Sequence, residues 1–103
     1  MKAPNEVTGL NDVREAIDHL DQRIIECMGM RMLYVKSAAQ FKPSLQSIPA
    51  PERVARMLPQ RREWACQAGL DADYIEKLFA GIIDWYIAQQ MDYWSIQQQG
   101  TAP

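Results

Sequence analysis

From Thr8 onward the apolar positions recur at steps of three and four: Leu10, Val13, Ile17, Leu20, Ile24, Cys27 or Met28, then Val35 and Ala38. That period marks one face of a helix. No proline interrupts it before Pro43, so the pattern predicts a helix over about 8–42 with Thr8 or Asn11 as its cap. Such a helix runs roughly 50 Å at 1.5 Å per residue. The stretch PSLQSIPAP, 43–51, reads as a loop, and Pro51 suits the first turn of a second helix over about 50–67. Gly69 supplies its stop and Asp71 a cap for a third helix over about 72–97. The inward line of that helix is Ile75, Leu78, Phe79, Ile82, Ile83, Tyr86, Ile87, Gln90, Tyr93 and Trp94. No period-2 strand pattern competes, so the chain reads as one all-α domain, 1–103, with three helices, one of them very long.

Two shorter helices cannot cover a helix of that length, and a small domain has little area to bury. The exposed apolar length predicts a homodimer in which long helices from two copies pack together. Polar residues also interrupt the apolar lines. Arg31 and Lys42 fall on the first helix's own stripe, separated by roughly 1,100° of helical rotation, three turns plus about 20°, and about 16 Å of rise. Arg14 points about 100° away from that line, so it does not join them within one subunit but could reach a site in a partner copy. Arg53 follows the proline loop, and Gln90 breaks the line of the third helix. For either cation alone, snorkelling or capping of a helix end is a sufficient account. Together they call for an anionic guest, because burying unpaired cations is costly and Glu15, Glu26, Asp84 and Asp92 fall off the inward lines.

Composition narrows the classes of guest. The 103 residues are 48% hydrophobic and 23% charged, with a net charge of -2, so no global field attracts nucleic acid. No apolar run approaches the roughly 18 residues of a membrane span, and the N-terminus has no signal-peptide pattern, which predicts a cytoplasmic protein that binds neither membrane nor nucleic acid. Cys27 and Cys66 stand alone without zinc spacing and read as reduced thiols. His19, the single histidine, sits among charges in DHLDQ and reads as solvated.

With these residues in place, the chain resembles the all-helical, AroQ-type chorismate mutase fold, and within it the isochorismate pyruvate lyases. The segments that carry the resemblance are TGLNDVREAIDHLD, YVKSAAQFK, IPAPERV, GLDADYIEKLF and IIDWYIAQQMDYW, in that order. The resemblance implies an intertwined homodimer with two equivalent sites, each completed by the first helix of the other subunit. It implies that Arg14 in VREAID crosses to the partner's site, and that Arg31 and Lys42 line the local one. Arg53 in PERV corresponds to the arginine after a mobile loop, and Gln90 in IAQQ to the glutamine near the enolpyruvyl ether. Lys42 and Gln90 become the catalytic residues, and Arg14, Arg31 and Arg53 bind substrate with them.

The implied reaction converts isochorismate to salicylate and pyruvate by concerted pericyclic elimination, without cofactor or metal, and serves salicylate supply for siderophores. Forked arginine donors suit a dicarboxylate. A weak side activity as a chorismate mutase fits the same cation set. Mutases usually carry an acid where Ala50 stands and a small hydroxyl residue where Tyr86 stands, so IPAPERV and WYIAQQ resemble the lyases more. Met30 departs from them, standing where related lyases tend to have a second arginine. The alternatives are a chorismate mutase, and a non-enzymatic helical dimerisation module, which leaves Arg31, Lys42 and Gln90 unexplained together. The loop at 43–49 is expected to be mobile when empty, because serine and proline offer it little apolar anchorage.

Overall fold

Three α-helices form among the described residues 1–100 of this computed structural model: α1 at Leu10–Ala39, α2 at Pro51–Gln67 and α3 at Ala72–Gly100. A short 3-10 turn, Leu45–Ser47, interrupts the connection between α1 and α2. The chain divides into two compact units, Met1–Tyr34 and the chain from Val35 onward, with the boundary inside α1.

The first unit begins with a turn, closed by the Glu6 N–H donating to Ala3 O at 2.8 Å, and leads into α1. Asp12, in the helix's first turn, accepts hydrogen bonds from the Thr8 backbone N–H (2.9 Å), the Thr8 hydroxyl (2.8 Å) and Lys2 Nζ (3.0 Å). These bonds tie the start of the helix to the residues before it, as a carboxylate near a helix N-terminus does. The stripe that periodicity marks for burial is open along this unit: Leu10 is 60% exposed, Ile17 49% and Ile24 57%.

In the second unit, α2 packs on α3. Pro51 opens α2 at its first turn, and Ala50 before it holds a left-handed backbone, φ 43° and ψ 63°. For a residue with a Cβ that conformation costs about 1–2 kcal/mol. At the far end Gly69 takes φ 74°, while its N–H donates to Cys66 O (3.1 Å) and the Leu70 N–H donates to Ala65 O (2.8 Å). This is a Schellman closure, which requires the left-handed residue that glycine supplies at no steric cost. Asp71 then caps α3 by accepting from the Tyr74 N–H at 2.8 Å. Arg62 pairs with Asp73 and Glu76 of α3, and Arg61 lies over Trp64 and Phe79, so two adjacent arginines fasten α2 to α3.

The buried residues of this unit are Ala39, Ile48, Met57, Ala65, Ile83, Tyr86 and one polar side chain, Gln90. Ile83, Tyr86 and Gln90 fall on one α3 face, as their spacing predicts. Leu78, from the same predicted line, is exposed. Ile48 is 2% exposed, the most deeply anchored large side chain described. The loop expected to lack apolar anchorage therefore has a firm one at its α2 end.

Helix α1 stops at Ala39, short of the expected 42. Its exit tightens into bonds from Gln40 N to Ser37 O, Phe41 N to Ala38 O and Lys42 N to Ala39 O. Proline 43 explains the stop: it has no N–H to donate, and its ring drives the preceding Lys42 away from helical torsions. The rotation that set Lys42 on the Arg31 line thus does not extend to it.

Two expectations follow. Glycine at Ala50 relieves the left-handed strain, and alanine at Gly69, where open space surrounds a new Cβ, introduces it. In urea unfolding at fixed protein concentration, Ala50→Gly raises stability by up to about 1 kcal/mol and Gly69→Ala lowers it by about 1 kcal/mol. Separately, the bonds from the Thr8 amide, Lys2 and the Thr8 hydroxyl hold the Asp12 carboxyl below its ordinary value of 3.8. A depressed carboxylate stabilises the fold fully above its unfolded value and loses that contribution as pH falls through its folded value. Asp12→Asn is therefore less stable than the parent at neutral pH, and the gap in denaturation midpoint closes as pH drops below 3.8.

Candidate functional site

Lys42 is half-buried just past the end of α1, and its Nζ donates a long hydrogen bond to Ser47 O at 3.4 Å. The serines between them close the turn: Ser47 Oγ donates to Ser44 O at 2.6 Å and accepts from the Ser44 N–H at 3.4 Å. With Ile48 buried next in sequence, this turn holds Lys42 by its side chain. The lysine's backbone carbonyl accepts the indole N–H of Trp94 at 3.1 Å.

Gln90 is 6% exposed and is the single polar side chain in the buried set described above. Its Nε2 donates to Val35 O at 2.7 Å. A carbonyl can only accept, so this bond fixes which end of the amide faces α1. The second N–H and Oε1 are left for another group. A buried amide in a helix–helix core is costly unless bonded, so its presence there points to a role that leucine could not fill.

Arg53 is exposed in the first turn of α2, where its N–H donates to Ala50 O at 3.0 Å. A cation at a helix N-terminus opposes the dipole, so helix stability does not account for it. Arg14 and Arg31 both belong to the first unit, Arg14 exposed and Arg31 half-buried. Along one straight helix they stand roughly 25 Å apart, too far to grip one small dicarboxylate together. The second unit thus holds Lys42, Arg53 and Gln90, and the first holds the two arginines of α1.

Lys42 also borders a cavity of about 270 Å³ with Lys36, Gln40, Tyr93, Trp94 and Gln97; Arg53 and Gln90 do not line it. Lys36, to which the sequence pattern assigns no role, is half-buried with Nζ 5.6 Å from the centre of the Tyr93 ring. Trp94, placed by periodicity on the inward line of α3, spends its one donor on the Lys42 carbonyl. The signal for it was present, since Gln90 and Trp94 stand one turn apart on α3. His19, Cys27 and Cys66 are exposed. Chemically the second unit offers donors for anionic or ether oxygens: an ammonium, a guanidinium and an amide N–H.

Comparison with known proteins places the chain in a family. The family model for chorismate mutase type II matches residues 13–91. The isochorismate pyruvate lyase of Pseudomonas aeruginosa is 57% identical over 102 residues, covering 99% of this chain and all of that protein. The T-protein of Haemophilus influenzae is 39% identical over 69 residues, which span 65% of this chain and 18% of that protein. The family match runs through α1, α2 and most of α3, and on it this chain belongs to the chorismate mutase type II family.

Proposed function

We propose that the protein is an isochorismate pyruvate lyase that converts isochorismate to salicylate and pyruvate. The observation that carries this reading is the full-length match to the Pseudomonas lyase. In the reaction a ring hydrogen passes to the enolpyruvyl methylene as the ring C–O bond breaks. The methylene becomes the methyl group of pyruvate, the ether oxygen becomes its keto oxygen, and the ring becomes aromatic. Every atom stays within the substrate, so the reading asks for no nucleophile, base or cofactor. The enzyme's task is to hold a flexible dicarboxylate in its reactive shape and to meet charge developing on the ether oxygen.

In this reading Lys42 exchanges its long bond to Ser47 O for the ether oxygen and a carboxylate. Gln90, held by Val35 O, directs its second N–H to the same oxygen. Arg31 and Arg53 take carboxylates through their forked donors. Arg14 serves the site of a second copy, since it stands far along α1 from Arg31. The apolar stripe left open along the first unit supports a homodimer, with the partner's long helix as its cover.

A chorismate mutase remains the second reading, favoured by the family's own description. Ala50, where an acid would meet a ring hydroxyl, and the buried Tyr86, where a small hydroxyl residue would stand, support the lyase instead.

Purified protein given isochorismate should release salicylate, followed by fluorescence, and pyruvate in equal amounts, with far slower conversion of chorismate to prephenate. Prephenate alone would restore the mutase, and no turnover of either substrate by folded protein would remove the enzyme. Within the lyase, Lys42→Ala is expected to lower kcat by about 10²–10³-fold, the effect of removing one preorganised donor, while helix content by circular dichroism is unchanged. Near-normal kcat in that variant would sink the role given to Lys42.

A further inference from the structure

We infer that Trp94 is a positioning residue for Lys42, an inference that rests on the lyase reading of that lysine. Helix α3 reaches across with two side-chain donors on one face. Gln90 Nε2 takes Val35 O at 2.7 Å, inside the last turns of α1, and Trp94 Nε1 takes Lys42 O at 3.1 Å, beyond its end. The two bonds straddle the point where α1 stops.

That placement matters because Lys42 has left the helix. Helical bonding no longer fixes its torsions, and the following Pro43 contributes no N–H. What holds its backbone is the turn bond from its own N–H to Ala39 O (3.1 Å) and the indole bond to its carbonyl. A group that must meet a developing charge needs placing to within about half an ångström, and the residues behind it set that precision. The indole N–H is a donor only, so the bond fixes the lysine's peptide without competing for its ammonium. The same ring borders the cavity beside Lys42. Loss of the donor frees the peptide to rotate and spreads the ammonium over several positions, with no group at the substrate removed.

The test is a double-mutant cycle in steady-state kinetics with isochorismate. Trp94→Phe keeps a ring and deletes the donor. A second variant with benzothienylalanine at position 94, which replaces the N–H by sulfur in a ring of indole shape, guards against a packing defect in the first. In the parent each change should lower kcat about five- to tenfold, the effect of one lost neutral hydrogen bond. In the Lys42→Ala background the same changes should move kcat by less than about twofold, since nothing is left to position. Equal losses in both backgrounds, or no loss in the parent from the benzothienyl variant, would overturn the inference. Unchanged turnover in the single Lys42→Ala variant overturns it too, and marks the failure as one of the lysine's assignment.

Discussion

A proline that cannot donate, placed directly after a lysine, sets the geometry on which the second unit depends. Pro43 ends α1 at Ala39 and leaves Lys42 outside the helix. Everything nearby compensates for that exit. The serines at 44 and 47 bond to each other, Ile48 buries itself, and α3 sends Gln90 and Trp94 to carbonyls on either side of the stop. A lysine at the middle of a helix would be held more firmly but would be confined to a helical direction. Held instead by a turn and an indole, its ammonium is directed by tertiary contacts.

The second constraint is apolar surface. α1 carries its stripe through the first unit with Leu10, Ile17, Leu20 and Ile24 open, and a single chain leaves that area uncovered. In the proposed dimer one requirement answers two needs. The partner's helix buries the stripe, and the same helix delivers Arg14 to a site it cannot reach in its own subunit. Dimerisation and completion of the site then become one event, which accounts for a chain this short sustaining a helix this long.

Much of the fold was legible because its stop and start signals are local chemistry. Pro51, Gly69 and Asp71 each act through their own backbone or cap, and both observed ends of α2 and the start of α3 sit beside them. The end of α1 was misjudged because periodicity counts faces, whereas a proline acts on the residues upstream of it. Ile48 was overlooked since a lone apolar residue among serines and prolines has no period to announce its burial. Gln90 was visible as a polar break in an apolar line, and its burial is what that break implied. Spacing set Trp94 on the same inward line as Gln90, but the groups that Trp94 and Lys36 meet, a backbone carbonyl beyond a turn and the Tyr93 ring of another helix, are not named by that spacing. The roles of Arg14 and Arg53 came from resemblance to a family, because an arginine on a helix surface looks the same whatever it binds.

The central claim is that each site is shared, with Lys42 from one copy and Arg14 from the other. Mixing Arg14→Ala chains with Lys42→Ala chains, after unfolding and joint refolding, measures this directly. Half of the dimers then carry one of each chain, and in them one site regains both native residues. Lyase activity should recover to about a quarter of the parent's from two nearly inactive preparations. A mixture no more active than its components would contradict a shared site and return Arg14 to its own subunit's surface.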